Sequence, residues 1–220
     1  MNSHGARALA EGAGTFFLLA VVVGSGIMGE RLGGGNAYSA LLVNSLATSL
    51  GLYALIVAFG PFSGAHFNPV VTLGFAFRGR IPWHEAGSYV VAQFAGAALG
   101  VVAANTMYDL PLVHDFVTPR TGPAQWLSES VATLGLLIVV FRGEASRTLA
   151  APSAVAAYIT AAYWFTSSTS FANPAVTLAR SLTGTFAGIR LEDVLPFVAA
   201  QLLGMGVALA GERVFGRPDA

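Results

Sequence analysis

Two asparagines open nearly the same hexapeptide, NPVVTL at Asn68–Leu73 and NPAVTL at Asn173–Leu178. Asparagine is a good helix N-cap, and proline has no N–H to lose in the first helical turn. Asn68-Pro69-Val70 and Asn173-Pro174-Ala175 therefore read as two helix starts. Each asparagine can cap with its side-chain oxygen and still donate from its amide nitrogen. Serines stand just upstream in both cases, in SGAHF and SFA. Each half of the chain also holds one glutamate inside an apolar run, Glu11 in AEGAGTFFLLAVV and Glu129 in SESVATLGLLIVV. Carboxylates in such runs carry protons, bind metals or anchor hydrogen bonds. A metal reading finds little support: there is no cysteine, and His4, His66, His84 and His114 are scattered. No nucleophile–base pair points to an enzyme, and no cofactor is expected.

These residues sit in a chain built for lipid. Of 220 residues, 55% are hydrophobic, 22 carry fixed charges, and the mean hydropathy is +0.66. No charged residue occurs in Leu32–Phe77, Ala86–Tyr108, Thr148–Ala179 or Val194–Gly211. Apolar stretches of about 18 residues or more are membrane-span candidates. Six spans are predicted: Arg7–Gly29, Tyr38–Gly60, His84–Thr106, Ala124–Phe141, Leu149–Ser167 and Leu191–Val214. The first run, Gly12–Met28, is long enough to remain as a span rather than serve as a cleaved signal. Asn68–Arg78 and Asn173–Leu182 are too short to cross and read as re-entrant half-helices. The fold class is thus an all-α membrane protein with six transmembrane helices and two re-entrant half-helices.

The order Glu, Asn-Pro, Gln-x-x-Gly recurs in both halves, with Gln93 in VAQFAG and Gln201 in AAQLLG. With three spans per half, the second half inserts upside down, an inverted repeat of the transporter kind. The expected domain is one unit over residues 1–220, with halves at about 1–110 and 120–220. All eleven basic residues are arginine and the net charge is zero, so no basic cluster suggests nucleic acid. With both termini cytoplasmic, Arg7, Arg78, Arg80, Arg142, Arg147, Arg213 and Arg217 lie inside, and Arg31, Arg120, Arg180 and Arg190 outside. That bias follows the positive-inside rule. Inversion brings the two Asn-Pro segments together near mid-membrane. Their helix dipoles then place positive potential on a narrow polar path, which passes neutral solutes and repels cations.

This pattern resembles the aquaporins, the major intrinsic protein family, across nearly the whole chain. The resemblance implies a homotetramer in the bilayer of the inner (plasma) membrane, with water and small neutral solutes as its partners. It implies that the Asn68 and Asn173 amides meet the permeating molecule. It gives the carbonyls of Gly64, Ala65, His66, Thr169, Ser170 and Phe171 the role of pore-lining acceptors. Glu11 and Glu129 then hold the re-entrant loops, while Gln93 and Gln201 serve packing or loop support. In water-selective members an aromatic, a histidine and an arginine close an outer filter. Here the matching positions are Thr48, Ala161 and Val176, with Ser170 at the loop position of the filter. Small, uncharged residues there widen the constriction, unless Tyr53, Tyr163, Trp164 or Phe165 refills it. Arg180, one turn beyond Val176, or Arg120 in the outer loop is a candidate for a displaced filter charge. The alternatives are an interfacial Arg180 and a solvated Arg120. The valine in the arginine position is also similar to a bacterial branch linked to arsenic resistance. That likeness implies passive conduction of polyols and neutral metalloids such as arsenite or methylated arsenicals. Competing readings are a water-selective channel, a coupled transporter and a structural junction protein.

Overall fold

The computed structural model describes residues 3–115, 119–143 and 150–215. Arg147, Leu149 and Arg217, used above for orientation and for the start of the fifth span, lie outside the described residues. Among the described residues eight α-helices run in order: α1 His4–Leu32, α2 Ala37–Ser63, α3 Pro69–Phe77, α4 Trp83–Met107, α5 Pro123–Gly143, α6 Ala150–Phe165, α7 Pro174–Ala179 and α8 Leu191–Phe215. A 3₁₀ turn at Arg180–Leu182 follows α7. Among the described residues five helices (α1, α2, α4, α5 and α8) are long and apolar enough to cross a membrane by length and composition. α6 contributes 16 described residues. No strand occurs among the described residues.

The ends of the helices follow their caps. Ser3 accepts from the Ala6 N–H at the start of α1, and Asn36 accepts from Tyr38 and Ser39 at the start of α2. Helix ends differ from the sequence expectation by up to three residues, as where α2 runs on to Ser63. The first span extends by three residues at each end. The second half-helix is α-helical only to Ala179 and tightens into the 3₁₀ turn at Arg180.

Each half is a three-helix cluster, α1 packing on α2 and α4 and α5 on α6 and α8, and the half-helices sit between the two: α3 packs on α4, α8 and α5, and α7 on α4 and α8. Small residues make the closest crossings. A Cβ on Gly96 would fall 2.1 Å from the Gly12 carbonyl oxygen, and one on Gly100 would fall 2.3 Å from that of Phe16. The matching crossing in the second half puts Gly204 against the Ser130 carbonyl, 2.4 Å from such a Cβ. Close backbone approach substitutes here for a hydrophobic driving force that lipid does not supply. Large apolar side chains such as Leu50, Val91, Leu195 and Leu203 are exposed on the outer faces, as lipid contact allows. At one end, Arg78 of the α3 cap and Arg142 of α5 both pair with Glu212 of α8, at 3.3 and 3.1 Å. Arg7 pairs with Glu85 at 2.6 Å, tying α1 to α4.

Candidate conduction pathway

The loop before each half-helix is held by a buried glutamate. Glu11 accepts from the Ser63 hydroxyl (2.6 Å), the His66 and Phe67 N–H groups (2.9 and 2.7 Å) and the Gln93 amide (2.8 Å). Glu129 accepts from the Phe171 and Ala172 N–H groups (both 2.9 Å) and the Gln201 amide (2.7 Å). Both carboxylates are fully buried. Gln93 reaches on to Thr72, and Gln201 to Thr177, so each glutamine joins its glutamate to its half-helix. The backbone between is left-handed at paired positions: Gly64 and Thr169 (φ 91° and 62°), Ala65 and Ser170 (53° and 51°), Phe67 and Ala172 (49° and 47°). Positive φ is uncommon outside glycine and is costly for a β-branched threonine. The carboxylates offset that cost by taking the N–H groups such a backbone turns away from ordinary ladders.

At the centre the two half-helices touch through their caps. The Asn68 oxygen accepts from Val70 N–H at 3.0 Å, and the Asn173 oxygen accepts from Ala175 and Val176 at 3.0 and 3.2 Å. Each amide crosses to the other half: Asn68 donates to the Ala172 carbonyl and Asn173 to the Phe67 carbonyl, both at 2.8 Å. A side-chain amide has two N–H bonds. One holds the opposite loop, and the second is left over at a residue that lines the cavity.

That cavity has a volume of about 1030 Å³ and runs between the halves. Its wall goes from Arg7, Arg80 and Glu85 at one end, past His66, Asn68 and Asn173, to Thr48, Tyr163, Val176 and Arg180 at the other. Gly64, Ala65, His66, Ser170 and Phe171 line it; Thr169 is not among the lining residues. Pro69, Val70, Pro174 and Ala175 are buried in the half-helices behind it.

Among the filter positions, Thr48, Ser170 and Val176 are buried and line the cavity. Ala161 requires correction. It is exposed on the far side of α6, while Ile159 and Tyr163 face inward and line the wall. Counting back from Asn173 crosses the irregular loop 166–173, where helical register is lost, and each residue of error turns a helix face by about 100°. Tyr163 does part of the refilling. Its hydroxyl donates to Thr48 at 3.3 Å across the α2–α6 contact. Trp164 instead bonds Ser45 and is half-exposed, Phe165 is exposed, and Tyr53 is not among the lining residues.

The two candidate arginines differ. Arg180 is 2% exposed, lines the cavity, and lies with its guanidinium carbon 3.5 Å from the centre of the Phe171 ring. That excludes an interfacial, snorkelling side chain. Arg120 is half-buried rather than solvated. It donates to the carbonyls of Gly188 (2.8 Å) and Phe186 (3.2 Å), and its backbone N–H reaches Asp193 (2.9 Å). Burial lowers its pKa, with Glu129, Tyr163 and Asp193 pulling the other way. The clamp over residues 186–188 and the Phe171 platform escaped sequence reasoning. Only the phenylalanine two residues before Asn173 could have signalled them.

The family profile described as Major intrinsic protein matches residues 2–162. The chain is 52% identical over 204 residues to Aquaglyceroporin AqpS of Rhizobium meliloti, covering 93% of this chain and 87% of that one. It is 31% identical to human Aquaporin-9 over 171 residues, covering 69% and 57%. Its fold superposes on the X-ray structure of the aquaglyceroporin from Plasmodium falciparum with a TM-score of 0.77 at 21% identity, covering 98% of both chains. Duplicated Asn-Pro caps, glutamate-held loops and a cavity between them are accordingly the inheritance of a member of the major intrinsic protein family, to which this chain belongs.

Proposed function

We propose that the chain is a passive membrane channel, not an enzyme, for water and small uncharged solutes. Its outer filter is wide enough for glycerol-like polyols and for neutral metalloids such as arsenite or methylated arsenicals. The observation that carries this reading is Val176. It lines the cavity three residues after Asn173, and Thr48 lines the same cavity, at the positions where an arginine and an aromatic would narrow a water filter. The 52% identity to a protein named an aquaglyceroporin supports solute conduction. Passive flow is supported by the buried carboxylates. Glu11 and Glu129 spend their oxygens on hydroxyl, backbone and glutamine donors, so neither of these two carboxylates is available to carry protons for a coupled transporter. One observation favours a water-selective channel instead: Tyr163 and Arg180 both enter the cavity wall. We further read the protein as a homotetramer of the plasma membrane with cytoplasmic termini and a single repeat-built domain.

The test is light scattering on proteoliposomes after an osmotic jump, first with an impermeant osmolyte and then with glycerol. Fast shrinkage followed by fast re-swelling in glycerol is expected, with arsenite uptake as the next assay. Shrinkage without re-swelling would favour the water-selective reading.

A further inference from the structure

Burying an unpaired guanidinium is costly, yet Arg180 is 2% exposed. Among the described residues its charge meets no carboxylate; the ion pairs present use Arg7, Arg78, Arg142 and Arg190. Its Nε donates to the Ala187 carbonyl. Its two terminal nitrogens have no hydrogen-bond partner among the described residues, and the side chain lines the cavity. Beside it, the Ser170 hydroxyl is 4% exposed, also lines the cavity and also lacks a partner. A buried polar group left unpaired is costly. The buried Ser170 hydroxyl and the two Arg180 nitrogens share one stretch of pore wall, where a passing molecule supplies the missing bonds.

We propose that Arg180, laid on the Phe171 ring one helical turn beyond Val176, is the fixed cation of the outer filter, and that it keeps the widened pore closed to cations. This rests on the channel reading above. The ring attracts the guanidinium through its quadrupole. It also keeps the planar group flat against the wall, so positive charge is present without an arm across the aperture. Val176 and Arg180 share a helix face, so the same side of the pore supplies both the open space and the charge.

The placement is built, not incidental. Three successive carbonyls, of Phe186, Ala187 and Gly188, accept from Arg120, Arg180 and Arg120 in turn. Arg120 is the positioning residue; Asp193 fixes its backbone, and its own guanidinium carbon lies 5.4 Å from the Phe171 ring centre. Glu129 fixes the Phe171 backbone, and Phe197 packs edge-on against its ring at 5.3 Å. The solute class that suits the site is neutral and oxygen-bearing. Its oxygens accept from Arg180, and its hydroxyls exchange bonds with Ser170.

Methylammonium uptake into proteoliposomes, divided by osmotic water permeability, tests this. In Arg180→Ala the ratio should rise about tenfold over wild type, which corresponds to about 1.4 kcal/mol of lost barrier. Adding Val176→Arg in the same background should bring it back down. Phe171→Leu keeps the arginine but removes its platform, and should give a smaller rise; it is the reading to use if Arg180→Ala yields no folded channel. An unchanged ratio in a water-permeable Arg180→Ala or, failing that, in Phe171→Leu overturns the proposal. Wild-type liposomes no more water-permeable than protein-free ones would overturn the channel reading itself, a separate failure.

Discussion

Two residues before each central asparagine the halves of the molecule diverge. In the first half that position is His66, stacked on Phe75 at 4.8 Å, set against Tyr89 at 5.5 Å and placed 3.0 Å from the Thr72 hydroxyl. In the second half it is Phe171, whose ring carries Arg180. The backbones around them match to within a few degrees of φ at two of the paired positions, and the asparagine cross-bonds have equal length. The scaffold is therefore duplicated while the side chains on it are not. Selectivity can be altered in the second half without disturbing the hydrogen bonds that hold the first.

The supporting carboxylates give the largest expected effect and a way to break this comparison. Glu11 accepts four hydrogen bonds and Glu129 three. Alanine at either strands buried backbone N–H groups, so each should lose about 3 kcal/mol or more. Glu11→Ala should be the worse of the two in thermal unfolding of detergent-solubilised protein. A Glu129→Ala variant that unfolds first would mean the halves are not equally built.

Asn68→Ala and Asn173→Ala come next. Each removes an N-cap and leaves an opposing carbonyl unpaired, for a loss of about 1–3 kcal/mol. The cross-bonds match, and Asn173 caps one N–H more than Asn68, so Asn173→Ala should lose more by no more than about 0.5 kcal/mol, and the double variant should depart from additivity because the residues share one network. Denaturation in one detergent, with all three variants side by side, checks both points; clearly unequal single losses would refute the symmetry.

The smallest effect belongs to Tyr163→Phe. It deletes a 3.3 Å hydrogen bond to Thr48 and should cost about 0.5–1 kcal/mol. Glycerol re-swelling should change by less than about twofold, since the ring remains. A large rise would move the narrowest point of the pore to Tyr163.

Much of this was legible in the sequence, because hydropathy, helix caps and the Glu, Asn-Pro, Gln-x-x-Gly order are local or simply repeated. Those features suffice for the spans, the half-helices and the paired glutamates. What escaped depends on register and on distant backbone. Ala161 lies where counting across the loop before Asn173 points, but the helix turns that position outward and presents Ile159 and Tyr163 instead. Arg180 was recognisable as one turn from Val176. Its burial could not be read, since it depends on a 3₁₀ turn at the end of α7 and on carbonyls of a loop clamped by Arg120.

The central claim is that the residue three positions after Asn173 sets what passes. Its most direct test is the ratio of glycerol to water permeability in wild-type and Val176→Arg proteoliposomes. The expected result is fast glycerol re-swelling in wild type, slowed by about tenfold or more in Val176→Arg, with water flow reduced much less. Wild-type vesicles that shrink without re-swelling, or re-swelling that Val176→Arg leaves unaltered, would contradict the account.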